Sequence, residues 1–182
     1  AQAAAFSEYE DEDSALQSAL ENLKRDLNLG YPVTFVDRGF LPNFDFGRCI
    51  LAVVVGQDGL VANAAKYVGE IPIIGVNPDP IRNTGVLLPF QVAEVRTAAR
   101  NAIQRRASLK KVTLAEINLN DGQRMLAFND LFIGCKTHAS ARYTLTVKGK
   151  AEPQSSSGII VSTGAGSTGW LSSIFNMGLG MA

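Results

Sequence analysis

Four short stretches of this chain gather residue types that handle phosphate and ribose. The first is Gly56-Gln57-Asp58-Gly59, an aspartate set among glycines directly after the aliphatic run Ile50 to Val55. Ligands of open α/β sheets bind at the carboxyl ends of strands, where backbone amides are free to approach phosphate. The pattern suits phosphoryl transfer, with Asp58 accepting the proton of an attacking hydroxyl. The plainer alternative is a tight strand-to-helix turn with Asp58 as the helix N-cap. The second stretch is Gly75-Val76-Asn77-Pro78-Asp79-Pro80. The third is Ala127-Phe128-Asn129-Asp130, whose adjacent polar side chains interrupt an apolar run. Neighbours on a strand point to opposite faces, so one of the pair is expected to face a ligand cleft, unless the pair is a bulge or turn. The fourth is Ser162-Thr163-Gly164-Ala165-Gly166-Ser167-Thr168-Gly169-Trp170. Its small residues allow close backbone approach, and Thr168 is placed to cap a helix running through Leu171, Ile174 and Phe175. Arg82 either reaches phosphate or is a surface arginine, the plainer reading. His138, the sole histidine, has no Cys or carboxylate at metal-ligand spacing and receives no role.

The elements that must position these residues are readable from pattern. Ser14 and Gln17 form a capping box, followed by Leu16, Leu20, Leu23 and Leu27 at helical spacing and Gly30 as the stop. The acidic run Glu8 to Asp13 before it reads as a solvated tail or loop. Strands are expected at Tyr31–Val36, Cys49–Val55 and Ile71–Val76, with a helix at Leu60–Val68. Continuous aliphatic runs mark strands buried on both faces, so a parallel sheet flanked by helices is favoured. After Pro89 a helix over Val92–Arg106 gives way to strands at Lys111–Leu119, Arg124–Ile133, Ala141–Lys148 and Gly158–Ser162, with a loop at Glu152–Ser157. Asn120-Asp121-Gly122 between two of them signals a hairpin. The expected fold is an α/β N-terminal layer (residues 1–90) carrying the glycine loop, followed by a β-rich, mainly antiparallel C-terminal domain (residues 91–182). A cleft between such lobes is a common small-molecule site.

Composition narrows the function classes. Of 182 residues 46% are hydrophobic and 19% charged, which is enough apolar content for a packed core. Seventeen Lys and Arg balance seventeen Asp and Glu, so no net field recruits nucleic acid or an anionic membrane, although a local basic patch stays open. Cys49 and Cys135, far apart in apolar surroundings, read as buried core residues of a reducing compartment. No apolar run approaches the ~20 residues of a membrane helix, and the N-terminus lacks the order of a signal peptide. A cytoplasmic protein is expected. The chain starts without methionine and stops at Met181-Ala182, just past a glycine-spaced helical segment, so flanking segments are expected beyond both ends.

In their order and spacing the four stretches resemble the NAD kinase family, with its Gly-Gly-Asp-Gly loop, Gly-Val-Asn stretch, Leu-Asn-Glu element and Gly-Ser-Thr-Ala-Tyr turn. The resemblance runs from about Val53 to Trp170, and the wording around Asn77-Pro78-Asp79-Pro80 and Gly169-Trp170 is nearer the mitochondrial-type branch. It implies a two-lobed fold, ATP or polyphosphate as donor, Mg²⁺, NAD as the acceptor and a homo-oligomer. By the same resemblance Asp58 is the general base on the adenosine ribose 2′-hydroxyl, and Gly56, Gln57, Gly59 and Asn77 bind the donor phosphates. Asn129, Asp130, Ala165, Thr168, Gly169 and Trp170 bind the acceptor, with Trp170 in place of the usual tyrosine offering an aromatic surface to a base or nicotinamide ring. A Trp buried in the core is the competing account of that residue.

Three departures stand against the family pattern. Gln57 replaces the second glycine of the loop and Leu60 a following threonine; Ser157 stands where many members have an aspartate; Gly164-Ala165 replaces Pro-Thr or Pro-Ser. Losing polar groups of this kind relaxes specificity as readily as it switches it. Two functions therefore follow: an ATP-dependent kinase acting on a hydroxyl of NAD or a related nucleotide or sugar, or a nucleotide-binding regulatory protein whose kinase activity is weakened or lost. Action on a lipid headgroup, as in the distantly related diacylglycerol kinases, lacks the amphipathic or polybasic segment it would need.

Overall fold

The computed structural model describes residues 6–180; Ala1–Ala5 and the expected chain-end features at Met181 and Ala182 lie outside them. The chain divides into two compact units, one up to Lys110 and one from Lys111 onward, so the helix after Pro89 belongs with the first unit.

The first unit is built on a parallel three-stranded sheet of β1 (Ala52–Val55), β2 (Ile73–Asn77) and β3 (Phe90–Gln91), in that spatial order. The registers pair Ala52 with Ile73, Val55 with Val76, and Asn77 with Gln91. Successive side chains leave a strand on opposite faces, and both faces here are covered. Ile74 and Val76 pack with Leu23 of α1 (Phe6–Asp26) and with Val95 and Ala99 of α3 (Val95–Ile103). On the other face Val54 packs with Val61 and Ala64 of α2 (Asp58–Ala64), and with Leu41 and Leu88. That two-sided burial explains the unbroken aliphatic runs.

Glycine 75 is dictated by packing. A Cβ there would lie 1.9 Å from the Leu87 carbonyl oxygen, so only glycine lets the segment before β3 cross β2 this closely.

Three expectations for this unit are corrected. The acidic run Glu8 to Asp13 is helical, within an α1 that reaches back to Phe6, and Ser14 and Gln17 are mid-helix rather than a capping box. Acidic side chains favour the positive end of a helix, and Asp11 and Glu12 find partners in Arg82 and Gln57. Tyr31–Val36 forms no strand; Tyr31, Val33 and Phe35 stay exposed, β-prone side chains without a neighbouring ladder to join. The helix after the glycine loop begins at Asp58 and ends at Ala64, earlier than expected at both ends.

The second unit is entirely antiparallel in its strands. The hairpin of β4 (Ala115–Asn118) and β5 (Arg124–Ala127) turns at Asn120-Asp121-Gly122 as the sequence implies, with Asp121 accepting the N–H of Gln123. The expected strand Arg124–Ile133 is two strands, because Phe128-Asn129 breaks it before β6 (Asp130–Gly134). Strand β6 pairs with β9 (Gly158–Ser162), Asp130 opposite Ser162. Strand β7 (Ala141–Val147) pairs with β8 (Lys150–Ser156) through Lys148-Gly149, both at positive φ as a primed two-residue hairpin turn requires. Strand β8 overturns the expected loop at Glu152–Ser157: a polar run with Pro153 disguises a strand, and a two-stranded ribbon tolerates proline where a central strand does not.

Cys49 is only partly buried and Cys135 is exposed, so neither is the core residue expected. Helix α4 (Trp170–Leu179) follows a short 3₁₀ turn at Gly166–Thr168. Among the described residues no helix is long and apolar enough to cross a membrane.

Candidate functional site

The loop after β1 is held from three directions. Its Gly56 N–H donates to the Val76 carbonyl of β2, 3.2 Å away, carrying the pairing one residue past the end of β1. Gln57 is the N-cap residue of α2 but makes no side-chain cap bond, and Asp58 is the first helical residue rather than the cap. The Asp58 carboxylate turns instead to the segment before β3: one oxygen accepts the Val86 N–H and the other the Leu87 N–H, each at 2.9 Å. An ionised carboxylate offers about four acceptor positions, so each oxygen retains capacity for a substrate hydroxyl. Asp58 is thus oriented by backbone donors nearly thirty residues downstream and remains half-exposed.

Gln57 projects elsewhere. Its Nε2 donates to Glu12 Oε1 at 2.9 Å, tying the glycine loop to α1. Five residues of loop beyond β2 are held by a second polar cluster. Buried Asn77 donates from Nδ2 to the Asn83 carbonyl at 2.7 Å and accepts the Asp79 N–H at 3.0 Å, so its amide fastens the Pro78–Pro80 bend. Asp79 is buried and pairs with the Arg82 guanidinium, which also reaches Asp11 of α1 at 3.0 Å. The hydrogen bond from Arg82 is the chief reason the Asp79 carboxyl sits below the usual carboxylate range, outweighing the opposing effect of burial. The reciprocal bond raises Arg82. Sequence motifs alone assign Asp79 no role, although Asp-x-x-Arg inside a proline-flanked bend is a signal for a local ion pair.

In the second unit the Asn129-Asp130 stretch and the glycine-rich loop come together. Thr163 is the residue that joins them: it is buried, its Oγ1 donates to the Phe128 carbonyl at 2.6 Å and accepts the Gly166 N–H at 3.1 Å. Its own N–H donates to the Asn129 carbonyl at 2.9 Å. A Cβ on Gly166 would lie 2.3 Å from that same carbonyl oxygen, so the close approach requires glycine. Sequence reasoning singled out neither Thr163 nor this contact; a hydroxyl residue ahead of Gly-Ala-Gly was the only clue.

The two polar neighbours differ as strand geometry demands. Asn129 is exposed, whereas Asp130 is half-buried and its Oδ1 is fully enclosed with no hydrogen-bond partner among the described residues. Ala165, Thr168 and Gly169 line the exposed side of the loop. Contrary to the expectation from sequence, Thr168 does not cap α4: Gly169 occupies the N-cap position, with no side-chain cap bond, because the 3₁₀ turn carries the chain one residue further before the helix begins. Trp170 is 47% exposed. Its ring sits 5.9 Å from that of Phe132, so it is a surface aromatic rather than a core tryptophan.

Chemically, the first unit offers an oriented carboxylate at the start of α2 beside unobstructed space at Gly59 in the same first turn, and the second offers a buried acceptor without a donor. No protein-family model and no curated protein sequence matches the chain. In three dimensions it is similar to yeast NADH kinase in a crystal structure complexed with NADH, with a TM-score of 0.51 and 22% identity over 69% of this chain. The fold is NAD kinase-like. The chain spans 39% of the yeast protein's length, and at this identity the likeness speaks for the fold alone.

Proposed function

We propose that the chain belongs to a kinase of NAD kinase-like type that moves a phosphoryl group from ATP, or polyphosphate, to a hydroxyl of NAD or a related nucleotide or sugar. The observation that carries this reading is the held carboxylate of Asp58 at the carboxyl end of β1. Asp58 acts as general base: it takes the hydroxyl proton as the oxygen attacks phosphorus, a contribution of about 10²–10⁴-fold for a positioned base. Gly56, Gln57 and Gly59 approach the donor phosphates and Asn77 supports them by fixing the neighbouring loop. Asn129, Asp130, Ala165, Thr168, Gly169 and Trp170 bind the acceptor.

The residues present suit a nucleotide. Half-buried Asp130 would accept a ribose hydroxyl hydrogen through the carboxylate oxygen that is not enclosed, and Trp170, 47% exposed, would offer a ring surface to a planar group. For Mg²⁺ the protein's contribution is small, since among the described residues no three carboxylate, His or Cys groups cluster. The ion would be held chiefly by donor phosphates and water, as is usual for Mg²⁺ in phosphoryl transfer, and would neutralise charge on those phosphates. The same reading makes the protein a cytoplasmic homo-oligomer nearer the mitochondrial-type branch.

A second reading, a nucleotide-binding regulatory protein with little turnover, is favoured by one observation: Gln57 fills the glycine position and carries the Glu12 carboxylate to the loop, where it would repel phosphate. Formation of NADP from NAD, ATP and Mg²⁺ by the purified protein separates the two. Turnover that disappears in Asp58→Asn while NAD still binds supports the kinase; saturable NAD or ATP binding with no turnover against any nucleoside or sugar hydroxyl supports the regulator.

A further inference from the structure

A concentration of positive charge lies apart from the residues considered so far. From Val95 to Lys111 the chain carries Arg96, Arg100, Arg105, Arg106, Lys110 and Lys111 and no acidic residue, in a protein whose formal charge is zero. Arg96 and Arg100 stand one turn apart on α3, a spacing that puts both guanidinium groups on one face, where like charges repel. Among the described residues the ion pairs involve Arg25, Arg82 and Arg124, and neither Arg96 nor Arg100. Arg96 donates one N–H to the Asp26 carbonyl, which suits a cation at the C-terminal end of α1 and leaves four of its five donors. No comparable duty falls to Arg100, which is exposed.

Both arginines line a cavity of about 350 Å³, together with Leu29, Tyr31, Ile103 and Gln104. That volume falls in the range of small-molecule sites, roughly 300–1,000 Å³, and the lining is mixed, with Asn28 and Gln104 beside the two arginines and the apolar side chains. Planar guanidinium forks match the oxygens of a phosphate two at a time. The cavity borders the C-terminal end of α1, and Glu12, which holds Gln57, lies fourteen residues earlier, about 20 Å along the helix. We propose that this cavity binds a phosphorylated small molecule, the phosphate on Arg96 and Arg100 and the remainder against Leu29, Tyr31 and Ile103. A concave site that sets Leu29, Tyr31 and Ile103 beside two arginines fits such a ligand better than it fits a polynucleotide, which would track the basic run as a strip.

Calorimetric titration of the full chain with AMP tests this, with inorganic phosphate as competitor. The expected result is saturable binding that phosphate competes away and that Arg100→Gln weakens about tenfold or more, the scale of one charge-assisted hydrogen bond. The far-UV circular dichroism and the NAD affinity of that variant stay unchanged, so this site and the kinase reading fail separately. The absence of saturable AMP binding overturns the proposal, as does binding indifferent to Arg100→Gln. Binding of single-stranded RNA that neither AMP nor phosphate displaces overturns it in favour of a nucleic-acid surface.

Discussion

Asp58 and Asp130 are the two candidate aspartates, and their surroundings are opposite. Both oxygens of Asp58 are engaged by backbone donors of its own unit, whereas Asp130 keeps an enclosed oxygen with no partner. A group held by bonds to its own protein without ligand is oriented beforehand, and orientation of this kind lowers the entropy cost of the reacting geometry. An enclosed acceptor with no donor costs about 1–3 kcal/mol until one arrives. Asp58 is thus held in a fixed orientation, and Asp130 carries an uncompensated burial, which on the proposed reading makes the first the reagent and the second part of the acceptor site.

The largest effect that could break this contrast is on turnover. On the proposed kinase reading, Asp58→Asn is expected to lower turnover by about 10²–10⁴-fold, measured as NADP formation, while NAD affinity changes little. A rate left intact would remove Asp58 from the chemistry. Next in size is Gly75→Ala. The added methyl would meet the Leu87 carbonyl at 1.9 Å, displacing the segment whose amides hold Asp58, and overpacking of this kind costs about 1–3 kcal/mol. Urea denaturation is expected to show that loss, and the rate should fall with it although no reacting atom has been altered. The receptor side gives the opposite sign. Asp130→Ala removes an acceptor that the folded protein leaves unpaired, so stability is expected to hold or to rise by up to about 1 kcal/mol, while NAD affinity falls. A loss of stability comparable to Gly75→Ala would mean that Asp130 is a structural group and would dissolve the comparison.

How far the sequence showed this depends on the range of the interaction. Aliphatic runs found β1 and β2, the leucine spacing found α1, and Asp121-Gly122 found its hairpin, because each is set by nearby residues. Tyr31–Val36 and the polar β8 were misread for one reason from two sides: strand formation needs a partner, and side-chain composition reports it poorly. In the site, the glycines marked where Asp58 would lie, but its partners Val86 and Leu87 come from another loop, as do Glu12 for Gln57 and Thr163 for Asn129. Those pairings are products of packing and carry no local signature. Residue types were therefore legible and their commitments were not, which is why Gln57 looked like an intruder in the loop and is instead attached to α1.

The smallest effects separate the ion pairs of the two units. Asp79 of the first is buried beneath Arg82, and Glu116 of the second lies across β4 and β5 from Arg124 at 2.8 Å with both side chains well exposed. The Glu116 carboxyl is pulled from 4.5 down to about 2, first by its hydrogen bond from Arg124 and then by that from Asn118. A carboxylate depressed in the folded state contributes stability above its unfolded value, and that contribution is lost as pH falls from 4.5 toward 2. Asp79 has the same sign, with loss beginning near its ordinary 3.8 and continuing below. Salt divides them: an exposed pair is screened and a buried partner is screened much less. Carboxyl titrations followed by NMR are expected to show Glu116 rising toward its ordinary value in 1 M salt or in Arg124→Gln, while Asp79 moves only in Arg82→Gln. If salt moved Asp79 as far as Glu116, the enclosure of the bend beside Asn77 would be illusory, and the loop beyond β2 would be no firmer a support for the site than the exposed hairpin.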